Sequence, residues 1–175
     1  MSTRPSLNTG KSDKTGNEMF PSIISVERVV EVPIEHARAW FLSLKDHPER
    51  YRFDTHDGIE FVQGDFGDVG SRFTTREKFY FLKLSLLFEL VEVSETSFSF
   101  RLIRPAWFQV WGAFRLNQLS SESVSLRLEI GSATRLGQSW LAFYPLAAAI
   151  RQQITREVVH IRSSMESTLS SDVIS

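Results

Sequence analysis

The sequence predicts an α+β fold: a curved seven-stranded antiparallel sheet wrapped around a long C-terminal helix, with two short helices after the first strand. Three observations predict it. One short strand (about Ile23–Val32) leads into helical sequence (Ile34–Phe53). Six strand-like runs then follow without interruption over Gly58–Ala133. A single long amphipathic segment, Ser139–Leu169, closes the chain. A dry sheet face and a dry helix stripe need each other, and a curved sheet leaves a hollow between them. The pattern points to a compartment for an apolar molecule.

Each element has its own signal. Val26, Val29, Val30 and Val32 make the first strand, ended by Pro33, which cannot donate to a ladder. Ala37, Trp40, Phe41 and Leu44 recur at helical spacing. Asp46 and Glu49 have the spacing of a capping box, with Pro48 between them, so a second short helix is expected over His47–Phe53. Gly64, Gly67 and Gly70 punctuate a turn. Phe73, Thr75, Glu77, Phe79 and Phe81 share one face of the next strand, and the following turn is placed near Leu82–Leu84. Leu86, Phe88 and Leu90 continue the sheet, then Phe98, Phe100 and Leu102 before Arg104-Pro105. Phe108, Val110, Phe114 and Leu116 follow, and Val124, Leu126, Leu128 and Ile130 alternate with wet positions that include Glu129. Trp140, Phe143, Ala147, Ile150, Ile154, Val158, Ile161 and Met165 form the closing stripe, and Pro145 marks a kink or a late start.

The composition narrows the function. The chain has 175 residues, the size of one domain. Lys+Arg 20 against Asp+Glu 21 gives no strong field for nucleic acid or an anionic membrane. With no cysteine, thiol catalysis and thiolate metal sites are excluded, and a reducing, cytoplasmic location fits. Residues 1–21 read as a disordered tail without the apolar core of a secretory signal, residues 22–169 as the domain, and residues 170–175 as a flexible end. Trp140–Ile150 is too short to span a bilayer, so no stable span is expected, while the two-sided apolar run Phe79–Leu90 leaves transient membrane contact open. No cofactor or metal is expected, and the oligomeric state is not specified.

The chain resembles the START-like helix-grip (SRPBCC) superfamily, which includes polyketide cyclases, plant pathogenesis-related ligand binders and lipid-transfer domains. It looks most like the polyketide cyclase/dehydrase and lipid-transport branch. The resemblance rests on Val26–Val32 with Pro33 before a helix, the stretch Gln63–Phe73, the run Phe88–Val93 and the closing helix. It implies a cavity between sheet and long helix that holds a hydrophobic or aromatic molecule, and it assigns no catalytic residue. Thr75, Glu77, Phe79, Phe88, Phe100, Arg104, Phe108 and Phe114 would line the sheet side. Trp140, Phe143 and Tyr144 would line the helix side.

Several residues carry two readings. The glycine-spaced turn is a strand connection rather than a phosphate cradle, because Asp65 and Asp68 would repel an anion. His56-Asp57 reads as a surface pair at the mouth of the second strand, since neighbours on an extended chain point apart. The inward carboxylate of Glu77 needs a partner, and alternation offers Arg28 and Arg104. Trp107 and Trp111 fall on the opposite face, as local packing or a contact patch. The leading expectation is a carrier or binder of a small hydrophobic molecule. The alternatives are a cyclase or dehydratase using Glu77 or His56 as acid/base with Arg104 steadying an enolate, and an interaction module without a ligand.

Overall fold

The computed structural model describes residues 24–79, 82–106 and 109–172, with all of their side chains except those of Phe79, Leu82, Trp140, Tyr144, Ser171 and Asp172. The expected tail and the side chains of Phe81, Trp107 and Phe108 lie outside the described residues. Strand β1 (Ile24–Val30) leads into helix α1 (Ile34–Leu42) and two single 3₁₀ turns, Ser43–Lys45 and Pro48–Tyr51. Strands β2 (His56–Gln63), β3 (Arg72–Phe79), β4 (Leu82–Val93), β5 (Ser97–Arg104), β6 (Val110–Gln118) and β7 (Val124–Ser132) follow. Helices α2 (Arg135–Ala142) and α3 (Tyr144–Asp172) close the chain.

The seven strands form one sheet in the order β1-β7-β6-β5-β4-β3-β2, antiparallel throughout. Consecutive strands pair as hairpins, and only β1 crosses over, to lie beside β7. The inward residues of the sheet pack with α1 and α3 into one core. Phe41 sits in the middle of it. Its ring lies 4.9 Å from Phe114, 5.0 Å from Phe98, 5.2 Å from Trp40 and 5.9 Å from Phe66, in the offset and edge geometries that aromatic quadrupoles prefer.

Local differences from the sequence expectation have local causes. The first of the two expected short helices ends at Leu42, and the second, expected over His47–Phe53, is a single 3₁₀ turn at Pro48–Tyr51. The Asp46–Glu49 capping box is not made: His47 precedes the second 3₁₀ turn, with no side-chain cap bond. The closing helix breaks at Phe143, and Pro145 lies in the first turn of α3, where its missing N–H costs no hydrogen bond. The β3–β4 turn falls between Phe79 and Leu82, earlier than expected.

Glycine is required at two places. At Gly64 the backbone has φ +71°, and a Cβ would sit 2.0 Å from the Ser71 hydroxyl oxygen, which accepts a hydrogen bond from the Asp65 amide. Gly112 lies opposite Phe100, and a Cβ there would meet that ring at 2.5 Å. The ring of Phe100 thus occupies the space beside Gly112.

The outer face is wet and charged. Arg72 and Arg101 flank Glu89, and Arg115 and Arg127 flank Glu129. Glu129 is only 9% exposed, because those two guanidiniums lie on it. Its expected place as a freely solvated wet-face residue is corrected accordingly.

Candidate functional site

Four elements bring six polar side chains together in the interior: Tyr51 from the second 3₁₀ turn, His56 from β2, Thr75 and Glu77 from β3, and Gln153 and Glu157 from α3. The His56 imidazole Nε2 lies 3.6 Å from Glu77 Oε1 and 4.0 Å from Glu157 Oε2. Thr75 donates to Glu77 Oε1 at 3.1 Å, and Gln153 donates to Glu77 Oε2 at 2.8 Å. The Tyr51 hydroxyl donates to Glu157 Oε1. Both oxygens of Glu77 thus receive donors, the environment of a carboxylate. Phe53 stacks on His56 at 4.4 Å and on His160 at 4.6 Å, which fixes the plane of the imidazole.

Local sequence explains the geometry. The β2–β3 register is irregular between His56 and Gly58, and Gly58 has φ +133°. That bulge inserts a residue, so His56 and Ile59 both face inward although they are three apart. Asp57 is turned outward and pairs with Lys78. His56 is 2% exposed, so the surface His56-Asp57 pair expected from alternation is wrong. On α3, Gln153 and Glu157 are one turn apart beside Ile154, Val158 and Ile161, within the buried stripe.

Burial shapes the protonation of the cluster. Burial pushes the Glu157 carboxyl above its ordinary value, and the charge of Glu77 adds to this against the opposing pull of His56 and Tyr51. Burial pushes His56 down, but the carboxylates of Glu77 and Glu157 outweigh it and hold the imidazole above its ordinary value. Burial, then Glu157, raises the Tyr51 phenol well above its usual range. The cluster therefore holds protons tightly, the condition for two carboxyl groups to share one imidazole inside a protein.

Burial falls toward the same end along β4, β5 and α3, three of the elements beside the cluster. On β4, Leu90 and Phe88 are buried, Leu86 is half-buried and Leu84 is exposed. On β5, Phe98 and Phe100 are buried, Leu102 is half-buried and Arg104 is exposed. Ile130 on β7 is half-buried, whereas Leu126 and Leu128 are buried. On α3, Val158 and Ile154 are buried, but Ile150 and Ala147 are half-buried, and Phe143 just ahead of the helix is 63% exposed. A run of partly exposed inward side chains on facing layers marks a place where sheet and helix separate. The separation is at the end where α3 begins, and Glu77, 18% exposed at its side chain, is the member of the cluster nearest to solvent.

The residues expected to line a cavity divide accordingly. Thr75 and Glu77 belong to the cluster, and Phe88, Phe100 and Phe114 are buried on the inner face. Arg104 is exposed at the end of β5 and Arg28 is exposed on the edge strand β1, so neither is the partner of Glu77. Phe108 and the side chains of Phe79, Trp140 and Tyr144 lie outside the described residues. Tyr51, Gln153 and Glu157 were not expected. Among the described residues, no group of three or more His, Asp or Glu side chains is arranged to hold a metal, and no helix is long and apolar enough to cross a membrane. The outer face has a mostly polar recess of about 280 Å³ over Glu27, Ser97, Arg115 and Arg127, whose charged groups are paired with protein partners.

No protein-family model matches the sequence, and no curated protein matches it. Solved structures do. The protein TTHA0849 from Thermus thermophilus superposes with TM-score 0.63 at 12% identity, over 83% of this chain and 97% of that one. The Zhui aromatase/cyclase from Streptomyces gives 0.60 at 11% identity, over 86% and 94%. Norcoclaurine synthase from Thalictrum flavum, solved in complex with dopamine and hydroxybenzaldehyde, gives 0.59 at 11% identity, over 85% and 86%. This chain has the helix-grip fold. The helix-grip architecture accounts for the single sheet, the short helical turns after β1 and the long closing helix, as the sequence resemblance implied. At these identities the likeness is one of fold.

Proposed function

We propose that this protein binds a small, largely apolar molecule between the sheet and α3, with the polar end of that molecule against Glu77. The observation that carries the reading is the parallel loss of burial along β4, β5 and α3 toward one end, above a buried polar floor. Ligand sites of this kind combine apolar walls with a few placed polar groups. Lipids, isoprenoids and aromatic polyketides share that chemistry. The absence of cysteine fits a cytoplasmic carrier without a cofactor.

A second reading is favoured by one observation, the contact of His56 with two carboxyl groups. Such a cluster can accept a proton at Glu77 and return one from the Glu157–Tyr51 pair, which is cyclase or dehydratase chemistry. The aromatase/cyclase and synthase neighbours support the same direction.

Native mass spectrometry of the purified chain tests for a copurifying molecule, and thermal shift tests isoprenoids, fatty alcohols and aromatic polyketides. A true ligand at a hundredfold excess over its Kd stabilises the fold by about 2.7 kcal/mol. Each stabilising compound is then incubated and examined for product. Unchanged ligand supports a carrier; conversion that disappears in Glu77→Gln supports the enzyme. No stabilisation by any apolar compound leaves the interaction module as the surviving reading.

A further inference from the structure

Resting on that reading of the same site, we infer that the molecule taken between sheet and helix carries a protonated amine at its leading end, and that free carboxylates are rejected. The argument is one of charge around the floor. Tyr51, His56, Thr75, Glu77, Gln153 and Glu157 are the polar groups that meet there, from the 3₁₀ turn, β2, β3 and α3. They contain two carboxyl groups against one imidazole. No lysine or arginine among the described residues joins them. Lys78 is turned to Asp57 on the other face, and Arg28, Arg52, Arg104, Arg151 and Arg156 are exposed.

A buried site of this kind has two ways to become neutral. One is to keep a proton on Glu157. The other is to admit an external cation, and Glu77, the most accessible carboxyl group of the cluster, faces the side from which one would come. An ammonium beside Glu77 allows the retained proton to leave, so amine binding and proton release are linked. The ring of Tyr51 and the Phe53–His56 stack lie beside the carboxyl groups and favour an organic cation over a hydrated metal ion. A carboxylate or phosphate entering the same space would meet like charge with no guanidinium to receive it.

The test uses the full chain and three probes with the same apolar body: phenylbutylamine, phenylbutanol and phenylbutyrate, each titrated by calorimetry. At neutral pH the amine is expected to bind about tenfold tighter than the alcohol, with phenylbutyrate weakest. In Glu77→Gln the amine advantage over the alcohol is expected to fall below about threefold, because the amine loses its counter-charge whereas the alcohol only exchanges one acceptor for another. In the wild type the advantage is also expected to shrink as the pH falls, because burial raises Glu157 and the carboxylates raise His56, so both take up protons early; this arm holds if the variant does not fold. Binding of the alcohol as tight as the amine, tightest binding of phenylbutyrate, or an amine advantage independent of pH overturns the inference and leaves the binding function standing. Binding of none of the three overturns both.

Discussion

Phe41→Ala is expected to destabilise the fold by about 3–5 kcal/mol, read as a lower denaturant midpoint with an unchanged slope. Phe41 is fully buried at the junction of α1 with the sheet, and its ring touches Trp40, Phe66, Phe98 and Phe114. Those partners come from α1, the β2–β3 connection, β5 and β6, so they cannot all move into the vacated space at once. The cavity persists, and its cost adds to the lost transfer energy. A loss below about 1 kcal/mol would mean that the four rings close over the site and that Phe41 is not the centre of the core.

The second large effect is expected at His56. His56→Leu removes the one cationic group shared by Glu77 and Glu157 and leaves two carboxyl groups facing each other in the interior. Removing one partner of a buried charge cluster costs about 3–5 kcal/mol. The cost depends on pH in a definite direction. The folded-state pKa of Glu157 lies above its ordinary value, so the folded chain binds the extra proton, and stability falls as pH rises above about 4.5. Without the imidazolium, which pulls that value down, the folded carboxyl group binds its proton tighter still. In the wild type, His56 is itself raised above about 6.5, so its stabilising charge is complete below that value and is lost as pH rises through the shifted one. The two shifts act oppositely on the difference between variant and wild type: it is expected to grow as pH rises above about 4.5 and Glu157 gives up its proton, and to fall again as pH rises through the raised His56 value, measured by urea unfolding across that range. A difference that does not vary with pH would mean that the variant loses packing against Phe53 and Tyr51 rather than charge.

Regular periodicity made most of the fold legible. Val124, Leu126 and Leu128 alternate without a break, and each is buried. The stripe Ile154, Val158, Ile161 and Met165 keeps helical phase, and each of these is buried too. The site was harder to read because it sits where periodicity fails. His56 faces inward only because a bulge at Gly58 resets the alternation, and a single glycine at the head of a strand does not announce such a reset. Tyr51 comes from a single 3₁₀ turn, too short to show a repeat. Gln153 and Glu157 did carry a signal: two polar residues four apart beside the apolar stripe of a long helix. Taken with the inward phase of Glu77, that spacing identifies its partner on α3 better than Arg28 or Arg104, which lie on strands whose ends reach solvent.

Helix α3 is attached unevenly. Its tethers run from Ser164 to Trp40, from Met165 and Thr168 to His36, from Glu166 to the Glu31 amide, from His160 to the Arg50 carbonyl and from Glu157 to Tyr51, ending with Gln153 on Glu77. In mechanical terms the helix is a beam clamped by side-chain hydrogen bonds from Gln153 onward, while its first stretch of about 13 Å, back to Tyr144 at a rise of about 1.5 Å per residue, is joined to the sheet through α2, whose Gln138 donates to the Ser132 carbonyl oxygen. Any widening of the gap between the layers at that end therefore has to carry α2 with it. Glu77 and Gln153 sit at the fulcrum. Under the proposed function, a molecule seated against Glu77 would bear on the last side-chain clamp of that beam, the Gln153–Glu77 hydrogen bond.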